Sequence, residues 1–456
     1  MDDTISAIAT ALGVGSIGVI RLSGPDSLAI ADRIFAGREK PGKDNARKLL
    51  YGHILDRKGQ PIDEVLAVYM PGPHSYTGED VCEIQCHGGR QALQEILSLT
   101  YQAGARPAEP GEFTKRAFLN GRLDLAEAES VMDIINAKSR QALVAANRGH
   151  EGGLSRKVRE LRKKLRDLVV QLEAAIDYPE EDIEEVTYDR AAEVLAEGQA
   201  AVARLVRQGS AGRILREGLR TAIVGRPNVG KSSLLNSLLQ ADRAIVSNIP
   251  GTTRDIIEEQ MTIGGIPLVL TDTAGLRDTE DLVEKIGVER SRAALEDAQL
   301  ALVVLDGSQP LSGEDRELLR SLKDRKKLIL VNKSDLPQML DTEGLQREYG
   351  SSDVIVLSVK TGEGMEQVEQ WLREFVYGEG SDSESSSMTQ NARQQDLLEK
   401  ALRSLEDALE GARQHLPYDC LTIDLTQTLH DLGEITGEDV PDEIIDEIFA
   451  QFCVGK

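Results

Sequence analysis

The sequence predicts a multidomain α/β plus α protein of 456 residues. Three observations carry this. Period-two apolar runs recur in the first 119 residues. Helical-period runs lie on both sides of a central region. That region opens with Gly225-Arg226-Pro227-Asn228-Val229-Gly230-Lys231-Ser232, a phosphate-binding loop pattern, and predicts a mostly parallel sheet with helices on both faces. Length alone suggests about three domains. The expected boundaries are 1–119, a helical first segment at 120–217, a nucleotide domain at 218–377, and a linker with a second helical segment at 378–456.

In residues 1–119, Gly18–Gly24, Val65–Met70 and Val81–Cys86 alternate as strands do. Cys82, Cys86 and His87 invite a metal reading. However, the two cysteines share one strand face and have no matching second pair, which favours a structural role.

Residues 120–217 carry helix signals at Leu123–Glu129 and from Arg156 to Ile176. The second stretch presents Arg156, Lys157, Arg159, Arg162, Lys163, Lys164 and Arg166, with Leu and Val at inward spacing. Its basic residues fit either RNA phosphates or a solvated face.

The central domain begins with the strand-like run 219–224, then the loop, then a helical run at Ser233–Leu239. In that context the loop amides would cradle a phosphate on a helix N-terminus. Lys231 would reach the β- and γ-phosphates, and Ser232 would ligate magnesium. Val229, Gly230 and Ser233 belong to the same contact surface. Asp272-Thr273-Ala274-Gly275, at a strand end, suits metal-bound water and the γ-phosphate. Asn332-Lys333-Ser334-Asp335 follows another strand. Its Asp335 would accept two N–H bonds from a guanine edge, each worth about 1.5–3 kcal/mol when charge-assisted. Ser358-Val359-Lys360 would close over the base. Four such elements in this order predict GTP binding.

The segment Ser247–Asp255 reads as a switch loop, because a threonine there meets magnesium only when a γ-phosphate is present. Leu276 stands where small signalling GTPases have a water-orienting glutamine, so another group must take that role. Asn228 is a candidate ligand for a monovalent cation. From spacing alone, Glu284 reads as a solvated helix residue.

The net charge of −24 argues against a protein that coats nucleic acid broadly. Aromatic residues make up 4%, too few for an obvious stacking platform. Four cysteines without disulfide-like spacing fit a reducing cytoplasm. The start Met1-Asp2-Asp3 does not resemble a signal peptide, and no apolar run approaches membrane-spanning length, so a cytoplasmic location with no membrane partner is expected. Gly378–Ser387 has linker composition, and helical periodicity resumes near 391. The nucleotide domain therefore reads as an insertion between two helical segments.

Beyond the nucleotide motifs, Pro71-Gly72-Pro73-His74-Ser75-Tyr76-Thr77-Gly78-Glu79-Asp80, Cys86-His87-Gly88-Gly89, Arg106–Asn120 and Leu123-Asp124-Leu125 are distinctive. So is the ending Cys453-Val454-Gly455-Lys456. Together they resemble the MnmE (TrmE) family of tRNA wobble-uridine modification GTPases, within the TrmE-Era-EngA-like group, essentially end to end. The resemblance implies an N-terminal dimerisation domain binding 5-formyl- or 5,10-methylene-tetrahydrofolate, a helical domain, and an inserted Ras-like P-loop GTPase domain. It maps folate contacts to Arg21, Glu83, Arg122 and Lys456; position 122 is commonly lysine in the family. It implies potassium-activated GTP hydrolysis, with Asn228, Ser247, Ile249 and Thr252 at the cation, Ser232 and Thr253 at magnesium, and Glu284 orienting water. It also implies a homodimer working on tRNA with the FAD-dependent partner MnmG (GidA), in a heterotetramer or larger complex. The product would carry a carboxymethylaminomethyl or aminomethyl group on C5 of the wobble uridine. A GTP-switched ribosome-assembly or RNA-binding factor is the alternative that the nucleotide motifs alone allow.

Overall fold

The structure is a computed structural model of the chain. It describes residues 3–11, 13, 15–137, 139–177, 187–241, 259–270, 295, 297–350, 353–378 and 390–456. The chain divides into two compact units, one of Met1–Met132, His150–Gly198 and Lys400–Lys456, the other of Asp133–Gly149 and Gln199–Glu399.

The first unit holds a seven-stranded sheet, β3-β4-β5-β6-β2-β1-β7 in spatial order. Its strands are β1 (Ile5–Ile8), β2 (Ile17–Ser23), β3 (Phe35–Gly37), β4 (Leu50–Leu55), β5 (Pro61–Met70), β6 (Val81–His87) and β7 (Arg106–Pro107). Alternation explains the burial. Ile20 and Leu22 of β2 and Cys82, Ile84 and Cys86 of β6 point into one core, covered by α1 (Ser27–Ile34) and α2 (Arg90–Gln102). The two buried cysteines are thus core side chains, as their spacing suggested. Burial pushes the Cys82 thiol up to about 12 and Cys86 to about 11, where neither forms a thiolate at neutral pH. No cluster of metal-ligating side chains occurs among the described residues.

Helices α3 (Glu112–Leu119) and α4 (Leu125–Asn136) follow, then α5 (Arg140–His150) and α6 (Gly153–Asp177). Leu154, Val158, Leu161, Leu165, Leu168 and Leu172 recur every three or four residues and form the buried stripe of α6. Alongside α6 lies α13 (Tyr418–Thr436), from the far end of the chain. The seven basic residues of α6 do not share one role. Arg162 is 6% exposed; its Nε donates to the Leu429 carbonyl at 3.0 Å, and its guanidinium pairs with Glu438. Arg159 pairs with Asp124 at 2.5 Å, and Lys164 reaches Glu197 at 3.5 Å. Six of the seven are exposed, as either expectation for this helix requires, and only Arg162 is turned inward. A buried arginine cannot stay unpaired, and the acidic chain supplies partners.

The second unit holds a six-stranded sheet of order β13-β12-β11-β8-β10-β9, parallel except for β9. Its strands are β8 (Leu219–Val224), β9 (Glu259–Ile263), β10 (Ile266–Leu270), β11 (Leu300–Asp306), β12 (Lys327–Asn332) and β13 (Val354–Val356). β11 is buried along its whole length. Leu300, Leu302 and Val304 face one core, with α8 (Lys231–Ala241) and α11 (Met365–Tyr377). Ala301, Val303 and Leu305 face the other, with α9 (Gly313–Ser321) and α10 (Thr342–Tyr349). A parallel sheet covered on both faces needs such continuous apolar runs. β8 sits where the strand order reverses, and ligands of open α/β sheets bind outside the strand ends at that point. Helix α7 (Tyr188–Glu217) runs into β8 through Gly218 alone. Most of the expected linker, 379–389, lies outside the described residues. The chain resumes in α12 (Ala392–Arg413), and α14 (Asp442–Ala450) precedes the tail. No helix among the described residues is long and apolar enough to cross a membrane.

Candidate nucleotide and N-terminal sites

Residues 225–230 loop from β8 into α8, which begins at Lys231. Gly225 holds φ 149°, and a Cβ there would lie 2.3 Å from the Val304 carbonyl oxygen. Only glycine lets the loop leave the sheet this closely. Lys231 Nζ donates to the Gly225 and Arg226 carbonyls, both at 2.8 Å, so the lysine is folded beneath its own loop. Burial lowers its pKa. Ser232 and Ser233 follow in the first turn of α8.

The base-reading turn is attached to this loop. Asn332, 4% exposed, donates from Nδ2 to the Val229 carbonyl at 2.9 Å and accepts from the Val359 amide at 3.1 Å. One side chain thus joins three of the expected elements. Lys333 Nζ donates to the Asn228 carbonyl at 3.0 Å. Ser358 Oγ donates to Asp335 Oδ1 at 2.8 Å, and Lys360 Nζ stands 3.9 Å from Asp335 Oδ2. Asp335 also lines an open hollow of about 700 Å³ with Thr361, Glu363 and Glu366. Asn228, Val229, Gly230, Lys231, Ser232, Asn332, Lys333, Asp335, Ser358, Val359 and Lys360 are therefore gathered at one end of the sheet. Ser247, Ile249, Thr252, Thr253, Asp272, Thr273, Ala274, Gly275 and Glu284 lie outside the described residues.

Two carboxylates at this end were not foreseen. Asp306 ends β11 and pairs with Lys333 at 2.7 Å. Asp315, 2% exposed, pairs with Arg226 of the loop at 2.9 Å and closes a capping box with Ser312 at the start of α9. The signals were present: an acid terminating an all-apolar strand, and Ser312-Gly313-Glu314-Asp315 ahead of a helical run.

The four residues expected at folate fall in the first unit. Arg21 of β2 and Glu83 of β6 are register partners, with Nε to Oε1 at 2.8 Å. The Arg21 guanidinium stands 5.0 Å from the Tyr76 ring centre and 5.6 Å from that of Phe113. Arg122 stands 5.2 Å from the same Tyr76 ring and donates to the Tyr76 carbonyl at 2.6 Å. The Phe113 amide donates to the Lys456 carbonyl at 3.1 Å. Tail residue Val454 bridges to Pro110. Gly455 holds φ 95°, where a Cβ would meet the Ile8 carbonyl oxygen at 2.2 Å. Tyr76 and Phe113 are the aromatic members that sequence reasoning left out, although both stand inside quoted motifs.

In the same unit Arg116 is fully buried. It pairs with Asp3 at 2.7 Å, Glu112 at 3.0 Å and Glu79 at 3.1 Å. Glu79 in turn accepts from Ser23 Oγ at 2.7 Å. Burial alone would raise the Glu112 carboxyl, but bonds from Arg106, the Glu109 amide and Arg116 outweigh it and hold the pKa below 4.5.

The doubly wound sheet, the loop after β8 and the Asn-Lys-Ser-Asp turn bound to it have the build of a P-loop GTPase. Residues 125–453 match the family model described as the MnmE helical domain, and residues 4–122 match that of the GTP-binding protein TrmE N-terminus. The tRNA modification GTPase MnmE of Clostridioides difficile (strain 630) is 48% identical over 460 residues, covering 100% of both chains. That of Latilactobacillus sakei subsp. sakei (strain 23K) is 48% identical over 455 residues, covering 100% of this chain and 98% of its own. Among solved structures, the G domain of the T. maritima FeoB iron transporter is 28% identical, covering 34% of this chain and 98% of its own, with a TM-score of 0.24. The chain belongs to the MnmE family of tRNA modification GTPases.

Proposed function

We propose that this GTPase is activated by potassium and acts with a FAD-dependent partner of the MnmG kind. Together they place a carboxymethylaminomethyl or aminomethyl group on C5 of the wobble uridine of certain tRNAs. The observation that carries this reading is the end-to-end likeness to tRNA modification GTPases, in a chain that also holds the Arg21–Glu83–Tyr76–Arg122 cluster.

The residues present suit the groups the reading requires. Folate carries carboxylates that guanidinium forks bind well, and a pterin edge whose donors a carboxylate accepts. Arg21, Arg122, Glu83 and the Lys456 tail would hold it, and it would supply the one-carbon unit. Asn228 is exposed and offers an amide oxygen, a hard donor suited to an alkali cation. Ser247, Ile249 and Thr252 would complete that set. Ser232 and Thr253 would hold magnesium. Lys231 and the loop amides would bind phosphates, Asp272–Gly275 would lie toward the γ-phosphate, and Asp335 would read guanine. Glu284 would orient the attacking water in place of the absent glutamine. We place the domain boundaries at 1–119, 120–217, 218–377 and 378–456. A homodimer is supported by an exposed apolar pair, Tyr51 and Leu66, facing each other across β4 and β5. The protein would work in the cytoplasm.

The test is mass spectrometry of nucleosides from tRNA of cells with and without the gene. Loss of the C5 aminomethyl-type uridines is expected; unchanged wobble uridines would overturn the reading. Glu284→Ala should remove most GTP turnover and leave GTP binding intact.

A further inference from the structure

Five non-glycine residues among those described hold a left-handed backbone, and two of them, Asn228 (φ 62°) and Lys333 (φ 70°), are hydrogen-bonded to each other. One belongs to the phosphate loop and the other to the base-reading turn. Such conformations cost energy and persist where their surroundings over-determine them. Asp306 supplies that constraint. It is 5% exposed at the end of β11. One carboxylate oxygen accepts from the Ser308 amide at 3.0 Å and the Ser308 hydroxyl at 2.6 Å. The other takes Lys333 Nζ at 2.7 Å. The same Nζ donates to the Asn228 carbonyl at 3.0 Å.

We propose that Asp306 is a positioning residue that acts through Lys333 to hold the Asn228 main chain, and with it the shape of the phosphate-binding loop. The base-reading turn and the phosphate loop are then joined by an ion pair whose carboxylate is buried. An ammonium has three donors and no fixed plane, so it takes its direction from the anion beside it. Burial alone would raise the Asp306 carboxyl. The Lys333 and Ser308 bonds outweigh burial, so the group remains a carboxylate at neutral pH. The second tie, from Asn332 to the Val229 carbonyl, does not depend on Asp306.

This inference rests on the reading of residues 225–232 as the phosphate loop, and the experiment separates the two. Affinities for GDP and GMP, each with magnesium, are measured by calorimetry on the full-length chain and on Asp306→Asn. Asparagine keeps the size and removes the charge. GDP binding should weaken about tenfold, equivalent to about 1.4 kcal/mol, with GMP binding nearly unchanged, because GMP lacks the β-phosphate that the loop encloses. Equal weakening of both ligands, or of neither, overturns the positioning role. An unaltered chain that binds GMP as tightly as GDP overturns the phosphate-loop reading itself. If thermal melting shows that Asp306→Asn does not fold, Ser308→Ala removes only the hydroxyl that steadies the carboxylate. It should then give a smaller loss, about threefold and confined to GDP; no loss confined to GDP overturns the proposal.

Discussion

The two candidate sites are built from different materials. The nucleotide end of the second unit is mostly main chain: a loop whose carbonyls are held by Lys231, Asn332 and Lys333, with glycine where the loop leaves β8. The first unit relies mostly on side chains: Arg21, Glu83, Tyr76 and Arg122, and a buried arginine with three carboxylates. Main-chain sites constrain sequence through backbone geometry, so they appear as short contiguous motifs. Side-chain sites draw on distant segments and leave scattered single residues. The first kind should fail by local strain, the second by losing charge balance.

The largest effect is expected where charge balance is deepest. Arg116→Ala would leave Glu79, Glu112 and Asp3 without their shared cation. Removing one partner of a buried ion pair costs about 3–5 kcal/mol, enough to be plain in thermal or denaturant unfolding. Arg116 Nε is itself buried without a hydrogen-bond partner, so the cluster is held in place by charge more than by complete hydrogen bonding. The pH dependence has a definite sign. The folded Glu112 pKa lies below 4.5, so its contribution is present above pH 4.5 and is lost as pH falls through the depressed folded value. The stability gap between the unaltered chain and Arg116→Ala should therefore narrow below that pH. A gap that stays constant or widens would mean that Arg116 acts by packing, and the contrast between the two sites would lose its basis.

An intermediate effect tests the main-chain site. At Gly225→Ala the methyl group would meet a backbone carbonyl that cannot rotate aside. Such strain costs about 1–3 kcal/mol, so GDP affinity should fall about tenfold or more in calorimetry. The fold should survive, because the sheet on either side is fixed by two apolar cores. Undiminished affinity would mean that the loop tolerates a different exit from β8.

This contrast also explains what could be read from the sequence. The phosphate loop, the Asn332–Asp335 turn and the strand before each were legible because their spacing is local and their backbone demands are strict. The amphipathic stripe of α6 was legible for the same reason, as 3.6-residue periodicity is local. The partners of Arg162 were not, because Leu429 and Glu438 lie more than 260 residues away. Asp306 was missed because one acid at a strand end carries no pattern until Lys333 is placed beside it. Arg116 stood in view inside Arg106–Asn120, yet nothing in its spacing says that its guanidinium is buried among Asp3, Glu79 and Glu112.

The smallest effect sharpens the boundary between the two kinds of site, because the base-reading end mixes them. Asp335 is a side chain, but it is oriented by Ser358 at 2.8 Å and has Lys360 within 3.9 Å. Ser358 is fully buried, and its hydroxyl also accepts from the Thr361 amide at 3.3 Å. Ser358→Ala removes one bond to the carboxylate and leaves the amide without its acceptor. A hydrogen bond of this kind contributes about 1 kcal/mol, so the preference for GDP over inosine diphosphate should fall about fivefold. Inosine lacks the exocyclic amino donor, so that ratio isolates one of the two bonds to Asp335. GDP-over-GMP discrimination should be untouched, because Asn332 and Lys333 still hold the phosphate loop. If Ser358→Ala instead weakened GDP against GMP, the base-reading turn and the loop would be joined through Ser358 as well. The main-chain site would then depend on side chains as fully as the cluster in the first unit.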